Sequence, residues 1–217
     1  MKTEDLIATL ALEQVSPVKR RVHPLYQCLG WLLFVLLYIS ALVVVHGMRP
    51  DIHEKLAQPL FILELALILA VIAGALVSAC LLSYPDAYGR FASRWLPFVP
   101  VALLAGVKAY EWLALPASPV YIAHYSPWLG QVDCTLCIVA FAAVPAYILF
   151  RAWQRGASTH QRWTGALTAL AVSGVGCFAL RLMEEGDNVV HIVTWHLLPV
   201  AVLVAIGAWV ACYALRW

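Results

Sequence analysis

The sequence predicts an all-α fold: an integral membrane bundle of six transmembrane helices, preceded by a short cytoplasmic N-terminal helix, with both termini inside. Three observations predict it. Of 217 residues, 63% are hydrophobic and only 12% are charged, about half the charged fraction of a soluble domain. Six apolar runs are each long enough to span, since a helix needs roughly 20 apolar residues to cross the hydrocarbon core. Lysine and arginine gather on alternate connections, as cytoplasmic loops require. Six irregularly spaced cysteines do not form the framework of a small disulfide-stapled domain.

Residues 1–22 are the stretch suited to water, and 23–217 are read as the transmembrane domain. The opening residues are polar and charged, so no cleaved signal peptide is expected. Thr3 can cap a helix whose first turn carries Glu4 and Asp5, where the helix dipole favours negative charge. Leu6, Ile7 and Leu10 follow at helical spacing as a narrow apolar stripe. Ser16-Pro17 should end that helix, and Lys19-Arg20-Arg21 stands before the first apolar run. The segment reads either as a tail on the membrane surface or as a helix presented to a partner's groove.

The spans are expected near Tyr26–Gly47, Pro59–Tyr84, Arg94–Leu115, Val132–Trp153, Trp163–Met183 and Val190–Leu215. The connections are short, leaving no room for a second domain. With the N-terminus inside, the inner segments collect Lys2, Lys19, Arg20, Arg21, Arg90, Arg94, Arg151, Arg155, Arg162 and Arg216. The outer loops receive Arg49, Lys55 and Arg181. Gly74, Ser78, Gly165, Ser173, Gly174 and Gly176 are small residues that let helices approach closely. Pro97, Pro100, Pro145 and Pro199 should kink their helices or open local backbone.

Glu64, Lys108 and Glu111 fall within spans, where ionisable residues by default mark a pathway or a sensing site. Lys108 and Glu111 are three apart and can pair, and Glu64 has Lys108 as its candidate partner. Because these charges occupy one half of the bilayer only, they argue against a continuous transport pathway.

Cys134 and Cys137 open the fourth span on the outer side, and Cys177 lies in the outer third of the fifth. A helix N-terminus lowers a thiol pKa and favours thiolate, which suits a soft metal ion or a disulfide. A structural role, metal or redox sensing, and disulfide catalysis all stay open for them, and no metal is assigned. His191 and His196, five apart, are not expected on one helix face. No nucleotide-binding loop, soluble catalytic domain or basic nucleic-acid surface is visible; neither a cofactor nor an enzymatic role is expected.

Cys134-Thr135-Leu136-Cys137-Ile138 is locally similar to the Cys-x-x-Cys-Ile of quinone-linked disulfide-forming oxidoreductases of the DsbB type, which would make the chain a membrane thiol–disulfide oxidoreductase. Those proteins need a second cysteine pair, and 181–189 contains no cysteine. The whole chain more broadly resembles the NrsF family of six-span anti-sigma factors. Met1-Lys2-Thr3-Glu4-Asp5-Leu6-Ile7, Arg49-Pro50-Asp51, Arg155-Gly156-Ala157-Ser158-Thr159, Trp195 and Leu215-Arg216-Trp217 carry the likeness from end to end. The resemblance implies a protein of the bacterial inner membrane that holds an extracytoplasmic-function sigma factor through Thr3, Glu4, Asp5, Leu6, Ile7 and Leu10. It also implies release on a periplasmic metal ion or oxidant, with Cys134, Cys137 and Cys177 as sensing candidates. The family's second cysteine stands where this chain has Arg181-Leu182.

Overall fold

The computed structural model describes residues 3–4, 24–84, 92–114, 132–154 and 158–215, and these contain helices and no strand. Helix α1 runs Pro24–His46, the short α2 Ile52–Lys55, α3 Pro59–Leu82, α4 Phe98–Ala114, α5 Val132–Trp153 and α6 Gln161–Met183. The short α7, Val189–His191, continues into a π-helical segment, Ile192–Leu197, and then into α8, Leu198–Ala214. Six stretches are long and apolar enough to cross a membrane: Tyr26–His46, Pro59–Leu82, Ala92–Ala114, Cys134–Trp153, Gln161–Met183 and Val189–Ala214. The expected six spans are therefore present, with ends shifted by a few residues.

Their outward faces fit that composition. Leu33, Leu36, Leu37, Val44, Val45, Leu103, Leu113 and Trp209 are exposed, and a bundle surface of this kind is matched by lipid tails.

Helix α6 is the centre of the bundle, and α3, α5 and α8 all pack against it. Helices in lipid gain little from apolar burial against one another, so close packing and interhelical hydrogen bonds hold them. Small residues supply the packing. A Cβ on Gly176 would come within 2.6 Å of the Ile138 carbonyl oxygen on α5, and one on Gly165 within 2.3 Å of the Gly207 carbonyl oxygen on α8. The hydrogen bonds are few and specific. Trp153 Nε1 donates to Thr168 Oγ1 at 2.8 Å, Trp31 Nε1 to the Pro145 carbonyl at 3.4 Å, and Ser158 Oγ to the Leu82 carbonyl at 3.0 Å.

The prolines act locally. Pro145 is carried inside α5, whereas Pro97 separates a 3₁₀ turn at 92–95 from α4. Pro199 stands in the first turn of α8, just after the π segment. Having no N–H, it leaves the Trp195 carbonyl without the usual helical donor, and the Thr135 hydroxyl from α5 donates there at 3.0 Å. Thr3 and Glu4 are helical and exposed. Asp5, Leu6, Ile7 and Leu10 lie outside the described residues.

Candidate functional site

Two polar assemblies occupy the distal end of the bundle, opposite the start of α1. The first is a chain of ion pairs. Glu64 on α3 receives Lys108 Nζ from α4 at 2.9 Å and Arg181 Nε from α6 at 3.1 Å. Lys108 also pairs with Glu111 at 2.9 Å. Both expected partnerships of Lys108 are thus present. Arg181, expected in an outer loop, is instead buried in the last turn of α6, because Glu64 and Asp187 compensate its charge.

The chain continues through the 184–188 connection. Asp187 binds Arg181 at 3.1 Å, Arg49 at 2.9 Å and Lys55 at 2.7 Å. Arg49 is buried, although it lies in the loop after α1. Its guanidinium grips Asp51 at 2.6 and 2.8 Å, and its backbone N–H reaches the Leu182 carbonyl at 3.0 Å. Two guanidiniums lie over the Phe61 ring, Arg49 at 5.5 Å and Arg181 at 5.3 Å from its centroid, a cation–π arrangement. Burial raises the Asp187 pKa, but the cations outweigh it, Arg49 foremost and then Lys55, and hold the carboxyl down at about 2. The Arg49-Pro50-Asp51 motif is in effect a clamp on the loop that follows α6.

The second assembly is Cys134, Glu184, His191 and His196, whose donor atoms all lie within 4.8 Å of one another. Glu184 is at its centre. Its Oε1 accepts from Cys134 Sγ at 3.6 Å and stands 3.0 Å from His191 Nε2, while Oε2 stands 3.1 Å from His196 Nε2. Burial raises the Glu184 pKa, yet the two imidazoles outweigh it and hold the carboxyl at about 2. The group is therefore a carboxylate at neutral pH.

The expectation that His191 and His196 occupy different faces is overturned. Residues five apart are about 140° apart around an α-helix. The backbone from Ile192 to Leu197 is instead π-helical, with the Leu198 N–H reaching the Val193 carbonyl. Its i→i+5 bonding brings residues five apart nearly over one another, and the two rings meet edge to face at 5.1 Å between centroids. A signal was present in the sequence: His196 stands three residues before Pro199, and prolines within spans are accommodated by local π adjustments.

Of the three sensing candidates, Cys134 alone belongs to this donor set. Cys177 is buried behind it, 3.8 Å from the His196 carbonyl, and Cys137 is half-buried against the core. None of the three is in a disulfide. Neither this geometry nor any similarity supports the disulfide-oxidoreductase alternative. Glu184 and both histidines went unassigned in the sequence because they sit about fifty residues from Cys134 or depend on the π turn.

No solved structure matches the chain. Over 230 aligned residues, covering 100% of both chains, it is 26% identical to the probable anti-sigma-F factor NrsF of Azospira oryzae. The family described as NrsF, negative regulator of sigma F, matches residues 11–217, and the chain belongs to that family.

Proposed function

We propose that this chain is an anti-sigma factor of the bacterial inner membrane, holding an extracytoplasmic-function sigma factor through its N-terminal segment and releasing it on a periplasmic metal or redox signal. Residues 1–22 form the cytoplasmic arm and 23–217 the transmembrane domain, with both termini cytoplasmic. Thr3, Glu4, Asp5, Leu6, Ile7 and Leu10 present an acidic first turn and an apolar stripe to the sigma factor.

Family membership over nearly the whole chain carries this reading. The name of the Azospira oryzae relative, a probable anti-sigma-F factor, points the same way. Ten of the fourteen lysines and arginines fall on the N-terminal side of the spans, which supports a cytoplasmic N-terminus. The distal end, with Cys134, is then the periplasmic one. Because a bound sigma factor is withheld from RNA polymerase, the protein needs no catalytic step; its output is a change in affinity.

The test is to delete residues 2–15 in the native organism. The truncated protein should remain in the membrane fraction while transcription of the sigma factor's regulon rises. A regulon that stays silent, with the truncated protein still in the membrane, would sink the proposal.

A further inference from the structure

We propose that Cys134, Glu184, His191 and His196 form a binding site for one divalent transition-metal ion of the zinc class. The donor set has the mixed character such an ion prefers: a thiolate, two imidazoles and a carboxylate. Tetrahedral zinc ligands stand about 3.3–3.8 Å apart. The four donor atoms, within 4.8 Å of one another, need to contract by about 1.5 Å at most to reach that geometry.

The second observation is the state of His196. It is 1% exposed, and neither ring nitrogen makes a hydrogen bond. Glu184 Oε2 lies 3.1 Å from Nε2 but off the line a ring N–H would need. A buried polar group normally has its hydrogen bond, and an exception needs an explanation. A cation seated between Glu184 and the two rings supplies it, converting the His196 lone pair from a cost into a ligand bond. In the adjoining ion-pair chain each buried cation faces at least one carboxylate of the same chain, whereas the Cys134 cluster has no cation of its own.

Access and preorganisation agree with binding. Cys134 and Glu184 are half-buried, so the cluster is not sealed inside the bundle. The π segment fixes both imidazoles, and Thr135, next to Cys134, is anchored to the Trp195 carbonyl at 3.0 Å. On loading, the Cys134 thiol gives its proton to solvent as the sulfur–metal bond forms, and the imidazoles bind as neutral donors. Binding itself stands on this geometry; its part in releasing the sigma factor rests on the regulatory reading above.

The experiment uses the full chain purified in detergent, stripped with chelator, and exposed to Zn²⁺ alone or Co²⁺ alone in excess Mg²⁺. The expected result is one ion per chain by elemental analysis. Co²⁺ should also give a thiolate-to-metal charge-transfer band in the near ultraviolet. Cys134→Ser should abolish that band, and His196→Gln and Glu184→Gln should each weaken Zn²⁺ affinity at least about tenfold. Cys137→Ser and Cys177→Ser should leave both readouts unchanged. Absence of a bound ion, unchanged affinity in the ligand variants, or an equal loss in Cys137→Ser would overturn the site. If a ligand variant fails to elute as folded protein, the charge-transfer band of the wild-type chain decides alone. A site that binds Zn²⁺ in a protein whose 2–15 deletion leaves the regulon silent refutes the regulatory reading and leaves the metal site standing; the converse pair of results does the opposite.

Discussion

The two distal assemblies are neighbours built from similar parts, yet they are electrically opposite. The ion-pair chain carries four acids, Asp51, Glu64, Glu111 and Asp187, against four bases, Arg49, Lys55, Lys108 and Arg181. It is closed: its charges cancel. The Cys134 cluster has one carboxylate, two imidazoles and a thiol, which is a surplus of lone pairs with no permanent cation. The first assembly behaves as a rivet that joins the loop after α1, α2, α3, α4, α6 and the 184–188 loop. The second behaves as a socket. Where a buried cation is permanent at this end, the chain supplies its counter-charge from its own carboxylates.

The comparison breaks most visibly at Glu64. Glu64→Ala leaves Lys108 and Arg181, both nearly inaccessible, with only Glu111 and Asp187 as partners and one buried positive charge in excess, and removing one partner of a buried pair costs about 3–5 kcal/mol. A large fall in the thermal midpoint of the detergent-solubilised protein is expected, whereas His196→Gln, on the socket side, should shift it far less. Equal falls would erase the distinction between rivet and socket.

Acid gives a smaller effect on the rivet. The carboxyl of Asp187 titrates at about 2 instead of 3.8, so its contribution is present above the unfolded value and is lost as pH falls through the folded one. Between about pH 4 and pH 2 the wild type should lose about 2 kcal/mol that Asp187→Asn, already lacking it, does not. Thermal melts of the two proteins across that window measure it, and parallel curves would remove the linkage.

The smallest expected effect sharpens the socket. Thr135→Val deletes the hydroxyl held by the Trp195 carbonyl, at a cost of about 1 kcal/mol. Hydrogen exchange at the amides of 192–200 should quicken in this variant, while the exchange of the 49–56 clamp should not change. If exchange at 192–200 is unmoved, the π segment does not depend on Thr135.

Much of this arrangement was legible in the sequence. Six spans follow from run length, the Lys108–Glu111 pair from i,i+3 spacing, and the close helix crossings from glycines such as Gly165 and Gly176. Illegible parts depended on long-range geometry or irregular backbone. Arg181 is readable as a loop cation until Glu64 and Asp187 are seen to surround it. Gly207 became recognisable as the partner of Gly165 only once α6 and α8 were crossed. Cys-x-x-Cys drew attention to the right helix end, but only Cys134 turns toward other donors, and its companions lie about fifty residues along the chain. Asp5, Leu6, Ile7 and Leu10, proposed above to meet the sigma factor, fall outside the described residues.

The π segment has one more consequence, which concerns phase. A helix that accommodates one extra residue in a turn carries everything beyond it about 100° out of step with what precedes it. In the last span, His191 lies before that offset and His196 within it, and the Gly207 and Ala211 face that meets Gly165 lies after it. Straightening Ile192–Leu197 into regular α-helix therefore cannot preserve both ends. Either the imidazoles rotate away from Glu184, or α8 rotates its small-residue face off α6. The last span works as a shaft with a fixed angular offset, and whatever holds the two imidazoles together at one end also sets the angle at which the other end meets the core.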